Sequence, residues 1–454
     1  MAPSDDDPPL QLYAGIEVGP GGELLVGGLR ALDLARIFGT PLYVYVEDAI
    51  RWKAREYLKE LRRVSVPADV AYASKAYLSL RMARIAYEEG LWLDVASAGE
   101  FFLAMKAGFP PERILFHGNN KSPEELKMAI KNGVGRIVAD NLPEIKRIQG
   151  IASALGRTQP VLIRVAPGID PHTHKALATG RIDSKFGIPV YRGAHIEAVR
   201  LALKMRNVRF MGFHCHVGSQ IFERRWFELA GNTMAEIYDD CVKATGVLPE
   251  ECDLGGGLGV AYVPEDKELS VKDYCEALVG SFRERLSSLG LPCPRIFIEP
   301  GRSIVAQAGI TLYKVGTIKR LPSGQRLLAV DGGMADNPRP MLYSAKYRCL
   351  LARQAREGQL SYRVVGKNCE EGDTLIEEAF LPLVKTGDIL AVMVTGAYHY
   401  SMSSNYNALP RPAVVHVWEG RAFPVVRRQT YRDLLDEQIE GTDRLALASN
   451  MGPF

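Results

Sequence analysis

The hydrophobic pattern changes twice along the chain. Between Leu10 and Val46, short apolar runs are interrupted by Gly19-Pro-Gly-Gly22 and by Gly27-Gly28, as in turns between small strands, and Leu42–Val46 is the clearest of the runs. A helical period follows through Ala49–Arg62. From Val70 onward short apolar runs alternate with amphipathic helical stretches. The first run ends at Lys75, and the others are Leu91–Val95, Arg113–Phe116, Arg136–Ala139, Val161–Val165, Val208–His214, Glu251–Leu254 and Arg295–Glu299. Leu78, Met82, Ile85 and Ala86 share one helical face, which Gly90 ends. Ser97 and Glu100 have capping-box spacing, and Ser122, Pro123 and Glu125 read as N-cap, N1 and N3 of a further helix.

Eight strand–helix units predict an α/β fold, a (β/α)8 TIM barrel, with its chemistry at the C-terminal ends of the strands. An open doubly wound sheet satisfies the same alternation, because periodicity alone does not show closure. After Arg302 the alternation stops, and Leu327–Val330, Ile389–Val394 and Ala413–Val417 stand between turn residues. That predicts a second, mainly β domain. The expected division is a barrel over 47–302, a mainly β domain from 10–46 plus 303–440, and flexible tails at 1–9 and 441–454.

Composition narrows the function classes. With 454 residues and 47% hydrophobic content the chain can bury a large core. Its 56 basic and 53 acidic residues nearly cancel, and no Lys/Arg stripe interleaved with aromatics suggests nucleic acid. Seven cysteines at irregular spacing, with no CxxC pair, fit free thiols in a reducing compartment, so the expected location is the cytoplasm. The acidic, Pro-rich start reads as a tail and not as a signal peptide, and no apolar stretch is long enough to span a membrane.

The strand ends carry the candidate chemistry. Lys75 follows a run whose Ala71 and Ala73 keep its surroundings small; a desolvated lysine there would be a nucleophilic amine, while a lone lysine at such a turn is ordinarily a surface residue. Asp253-Leu-Gly-Gly-Gly-Leu-Gly259 is either a flexible turn or a place where N–H groups approach a phosphate, with Ser219 able to add a hydroxyl. His214 and His216 share a face and could hold a metal, lie against a planar cofactor, or be rim histidines; no further histidine–carboxylate set in the sequence completes a metal shell. Glu299-Pro-Gly-Arg302 offers a carboxylate for a protonated ring nitrogen and a guanidinium for a phosphate or carboxylate, or simply a rim salt bridge.

From about Gly39 to Pro412 these segments closely resemble, in order, the diaminopimelate decarboxylase family, pyridoxal-phosphate enzymes built on an alanine-racemase-like barrel. The resemblance rests on Tyr72-Ala-Ser-Lys75-Ala, His172-Thr-His-Lys175 with Ser184-Lys-Phe-Gly187, His214-Cys-His-Val-Gly-Ser-Gln220 and the glycine run. It continues through Glu299-Pro-Gly-Arg-Ser303, Asp336-Asn-Pro-Arg-Pro340 with Leu342-Tyr343, Cys369-Glu-Glu-Gly-Asp373, and Gly396-Ala-Tyr398 with Tyr400-Ser-Met-Ser-Ser-Asn405. It departs where the family usually reads Lys-Ala-Asn and Cys-Glu-Ser-Gly-Asp: here Tyr77 and Glu371 stand.

The resemblance implies decarboxylation of meso-2,6-diaminopimelate to L-lysine and CO2, the last step of lysine biosynthesis. Lys75 would hold pyridoxal 5'-phosphate as a Schiff base, His216 would stack on its ring, and Glu299 would keep the ring nitrogen protonated. Ser219, Gly255, Gly256, Gly257, Gly301, Arg302 and Tyr398 would surround the phosphate. Arg302, Arg339, Tyr343, Glu370 and Tyr398 would hold the substrate, and Cys369 would be the proton donor. It also implies a homodimer in which Cys369 and Glu370 complete the other subunit's site, with neither nucleic acid nor membrane as partner and no metal. The competing readings are a decarboxylase of another basic amino acid or polyamine precursor (ornithine, arginine or carboxynorspermidine type), a catalytically silent partner-binding relative, and a metallohydrolase.

Overall fold

A computed structural model describes residues 10–64, 67–170, 184–356 and 358–439. The His172–Lys175 motif and the tails expected at 1–9 and 441–454 lie outside the described residues. The eight expected runs form parallel strands β1 (Ala68–Ala73), β2 (Trp92–Val95), β3 (Ile114–Phe116), β4 (Arg136–Ala139), β5 (Gln159–Ala166), β6 (Val208–His214), β7 (Glu251–Asp253) and β8 (Arg295–Ile298). Each pairs with the next, and β8 pairs back onto β1, so the sheet closes. Closure excludes the open doubly wound sheet.

The helices between the strands start where side chains can satisfy their free N–H groups. Ser122 and Glu125 make a complete capping box. Ser97 makes only half of one: its hydroxyl accepts from Glu100 N–H, but the Glu100 carboxylate reaches past Ser97 to the Ala96 N–H at 2.6 Å.

Alternate residues of a strand point to opposite faces, and this rule layers the barrel interior. Ala71, Trp92, Leu115 and Phe297 make one buried cluster, and Val138, Leu162 and Met211 another, both separate from the core beneath the helices. Two residues further along the same strands and their ends stand Ala73, Asp94, His117, Glu299, Asp140 and Arg164. An apolar plug thus gives way, one step toward the C-terminal mouth, to a ring of mostly ionisable groups.

A second sheet takes strands from both sides of the barrel in sequence. Leu42–Val46, wholly buried, lies between Gly309–Arg320 (antiparallel) and Ala413–Trp418 (parallel). Strands Arg326–Val330, Cys349–Leu351, Leu360–Val365, Thr374–Leu381, Ile389–Val392 and Arg421–Val426 complete it. The small strands within 10–30 form a four-stranded meander, tied to this part by the Leu24 N–H bond to Ala352 O. No helix among the described residues is long and apolar enough to cross a membrane.

One buried acid joins the two parts. Glu47, fully buried at the start of the helix Glu47–Val64, accepts from Arg51 at 2.8 Å and from Arg81 at 2.5 Å, and lies 3.3 Å from His416 of the second sheet. Burial pushes its pKa up, but His416, Arg81 and Arg51 outweigh burial and hold it at about 2. A carboxyl with a depressed folded-state pKa contributes stability above its ordinary pKa and loses it as pH falls through the folded value. Glu47→Gln is expected to cost about 3 kcal/mol at neutral pH. In denaturant titrations its stability should also decline less steeply than the wild type's between the ordinary value of 4.5 and about 2.

Candidate active site

The mouth of the barrel holds a cavity of about 240 Å³, lined by Lys75, Asp94, His117, Arg164, His214, His216, Ser219, Glu299 and Arg302 of the barrel, and by Arg339, Tyr343, Tyr398 and Met402 from beyond it. Sequence positions more than 300 apart thus share one space.

Glu299 forms its floor. His214 Nε2 lies 3.0 Å from one carboxylate oxygen, and His117 Nε2 lies 2.7 Å from the other. Burial alone would favour the neutral acid; the contacts with His117 and His214 reverse this and hold Glu299 well below the usual carboxylate range. Burial takes the His214 pKa down to about 3, so it is a neutral imidazole. These residues correct one expectation. With Asp253 they bring a histidine–carboxylate set together, with side-chain atoms all within 4.8 Å of one another, because closure joins strand ends far apart in sequence. The short contacts inside this set converge on Glu299, with His214 Nε2 at 3.0 Å and His117 Nε2 at 2.7 Å.

Lys75 sits in a single 3-10 turn, Ser74–Ala76, immediately after β1. Its side chain is exposed within the open mouth of the barrel. Desolvation pulls the ammonium down, but Asp94, Tyr398 and Glu299 together outweigh it, and the pKa is raised. The lysine is therefore an ammonium among acids in this structure. Asp94 is itself pushed up to about 6 by burial, against the pull of His117 and Lys75. His216 is held neutral by desolvation, then by the charges of Lys75 and Arg164.

A small recess of about 20 Å³ opens beside Lys75 between Ser219, Gly257, Gly301, Arg302 and Tyr398. Arg302 donates to Ser219 Oγ at 3.0 Å and to the Tyr262 hydroxyl at 2.7 Å, and its guanidinium lies 4.8 Å from the Tyr398 ring centre. The glycine run expected here divides in two. Gly257 lines the recess, where a Cβ would lie 2.6 Å from Gly218 O. Gly255 and Gly256 do not line it, since their N–H groups are used on Asp253 Oδ1 at 2.9 Å and on His216 Nδ1 at 3.3 Å.

The second sheet and its connections supply the opposite wall. Tyr398 adopts a left-handed backbone (φ 67°), uncommon for a residue with a side chain, and its N–H donates to Ala76 O at 2.8 Å, beside Lys75. Arg339, buried, donates to the Tyr347 hydroxyl at 2.9 Å, with its guanidinium 5.1 Å from the Tyr343 ring centre and 5.3 Å from that of Tyr398. Cys369 and Glu370 do not line the cavity. Both are exposed: the Cys369 N–H is held by Asn407 Oδ1, and the Glu370 carboxylate accepts from the Tyr406 hydroxyl at 3.5 Å.

Sequence reasoning missed Asp94, Arg164, Tyr262 and Tyr347. The first two had a signal, since each is an ionisable residue inside an apolar strand run, two positions beyond an apolar one. The tyrosines had none. They lie in connections, and only the fold brings them to Arg302 and Arg339.

The donor set fits pyridoxal phosphate: an amine, an imidazole wall, a buried carboxylate for a ring nitrogen, and a recess with a guanidinium and a hydroxyl for an anion. The family model "pyridoxal-dependent decarboxylase, pyridoxal binding domain" matches residues 47–306. The chain is 45% identical to the diaminopimelate decarboxylase of Bacillus subtilis over 91% of its own length and 94% of that protein. It is 42% identical to that of Mycobacterium tuberculosis over 92% and 95%. The crystal structure of diaminopimelate decarboxylase from M. jannaschii with L-lysine superposes with a TM-score of 0.88 at 33% identity, over 94% of this chain and 98% of that one. A lysine/ornithine decarboxylase of Vibrio vulnificus with cadaverine, 23% identical with a TM-score of 0.72 over 86% of this chain and 97% of that one, shares the fold.

The close approach at Gly256 gives a direct test of the floor. A Cβ there would lie 2.2 Å from Glu299 O. Gly256→Ala is expected to lower the denaturant midpoint by the equivalent of about 1–3 kcal/mol, with the cost falling on the backbone that carries Glu299.

Proposed function

Because the chain belongs to the diaminopimelate decarboxylases, within the pyridoxal-dependent decarboxylase family, we propose that it removes the α-carboxylate of meso-2,6-diaminopimelate and releases CO2 and L-lysine. One observation carries this reading: Lys75, Glu299, the Ser219–Arg302 recess and the cation Arg339 all face a single cavity. Pyridoxal 5'-phosphate, when bound, supplies the electron sink for the pair of electrons left as CO2 departs.

The chain's own residues do the rest. Lys75 holds the cofactor between turnovers, and Asp94, whose pKa of about 6 lies well below that of the amine, balances its charge as an ammonium. His216, neutral, offers an uncharged face to the ring. Glu299, kept ionised by two imidazoles, holds a proton on the ring nitrogen. Ser219, Gly257, Gly301, Arg302 and Tyr398 hold the phosphate, while Gly255 and Gly256 support the site from behind by fixing Asp253 and His216. Arg339 pairs with the distal carboxylate of the substrate, with Tyr343 beside it and Arg302 and Tyr398 at the near end. A substrate ending in an amine would meet this guanidinium as a like charge, which disfavours ornithine and arginine.

Cys369 donates the proton that replaces CO2, and Glu370 binds substrate, both reaching the site of the other subunit in a homodimer. Their exposure outside the cavity, together with the neighbouring exposed Met341, Leu342 and Tyr406, supports this arrangement. All seven cysteines are free, which supports a reducing cytoplasmic location.

Two experiments test the reading. The wild type should show the visible absorbance of lysine-bound pyridoxal phosphate and release CO2 from meso-diaminopimelate; Lys75→Ala should lose both, and CO2 from ornithine alone would overturn the substrate. Mixing inactive Lys75→Ala and Cys369→Ala subunits should restore about a quarter of wild-type activity, because half of randomly paired dimers then carry one intact shared site. No recovery in a mixture shown to exchange subunits would place Cys369 in its own subunit's site.

A further inference from the structure

Asp253 is the one buried acid of the floor to which the reading above assigns no charge. It ends β7 with no exposed surface, and its Oδ1 accepts from the Gly255 N–H at 2.9 Å. Its Oδ2 is buried without a hydrogen bond, and it lies in the cluster, all within 4.8 Å, that also holds His117, His214 and the Glu299 carboxylate, whose Oε1 and Oε2 already face the two imidazoles. Two carboxylate oxygens are both acceptors and cannot partner each other until one carries a proton. Two carboxylates sharing one buried cluster push one of the pair toward its neutral form.

The surroundings decide which one keeps the proton. Glu299 receives both imidazoles. The ionisable groups around Asp253 are Glu299, Asp94, His117, His214, Cys215, Cys252 and Tyr274; the short contacts of the two imidazoles go to Glu299, and burial followed by Glu299 pushes the Asp253 pKa well up. The Tyr274 hydroxyl is engaged by Gly255 O, which also accepts the Glu299 N–H at 2.8 Å. The same carboxyl therefore fixes the Gly255 turn with one oxygen and leaves the other, buried and without a hydrogen bond, in the cluster that contains Glu299.

We propose that Asp253 is a neutral carboxylic acid at working pH, donating its Oδ2–H to Glu299 as a third donor beside His117 and His214. It is a positioning residue: it acts through Glu299, keeping a single charge on the carboxylate that would serve the ring nitrogen, and through the Gly255-Gly256 turn, whose second N–H aligns His216. The inference rests on the proposed role of Glu299 toward the ring nitrogen.

Isotope-edited infrared spectroscopy of the apoenzyme tests the proton directly. At about pH 8 Asp94 and Asp336, pushed up to about 6 and about 7, are largely ionised, and the Asp253→Asn comparison tells Asp253 from Asp140 and Asp373, which burial also raises. Carbon-13 aspartate labelling of the wild type should still shift one protonated-carboxyl carbonyl band, and that band should be absent from Asp253→Asn. A wild type with no such band, or a band that persists in Asp253→Asn, overturns the proposal. Cofactor affinity gives the second measurement. Asp253→Asn keeps an N–H donor toward Glu299 and an acceptor for Gly255, and should bind pyridoxal phosphate within about threefold of wild type; Asp253→Ala should bind about tenfold more weakly. Equal damage in the two variants would also overturn it. Should the wild type show the band but take up no pyridoxal phosphate, the proton assignment stands and the proposed function fails. Should it take up pyridoxal phosphate without showing the band, the proton assignment fails and the proposed function stands.

Discussion

A full negative charge buried at the top of a closed barrel has to be surrounded by donors, and much of the site follows from that requirement at Glu299. Taking a carboxylate out of water costs several kcal/mol unless partners replace the lost hydration. Here the partners are His117 and His214, delivered by two other strands. Their engagement on Glu299 keeps both imidazoles from acting independently. With Asp94 the carboxylate also sets the field in which Lys75 sits, so the basicity of the lysine is a property of the ring of strand ends.

The barrel makes only half of the site. The Ser74–Ala76 turn that carries Lys75 is held from the other side by Tyr398 N–H and by the Ser401 hydroxyl, both on Ala76 O. Tyr398 accepts a left-handed backbone to do this, and its ring then lies beside the guanidiniums of Arg302 and Arg339. Such a conformation persists where surrounding contacts over-determine it. The buried Glu47 joint, reaching Arg81 and His416, holds the barrel and the second sheet together at a distance from the chemistry. Positioning the lysine is therefore a task shared between the two parts.

Legibility in the sequence varied with the range of the interaction. The eight barrel runs and the Ser122 cap were readable because strand alternation and capping depend on residues one to four apart. Lys75, Glu299, Arg302 and Arg339 were readable as residue types in motifs with recognisable chemistry. Tyr262 and Tyr347 were not, since a tyrosine in a connection carries no local mark of the arginine it meets. The glycine run shows the boundary within one motif: three adjacent glycines look alike in sequence, yet only Gly257 lines the recess, and its neighbours bind Asp253 and His216.

The sequence by itself determined the order of strands and helices, the apolar-to-polar step along β2 to β5 and β8, and the inventory of an amine, carboxylates, imidazoles and guanidiniums at the strand ends. Backbone stereochemistry makes those features local. Tertiary structure alone decided that the sheet closes, that Lys75 is an ammonium where desolvation by itself would favour the free amine, and that Asp253 and Glu299 meet. The physical reason is that each of these depends on fields and contacts between groups tens to hundreds of residues apart, which act only over the few ångströms that closure creates.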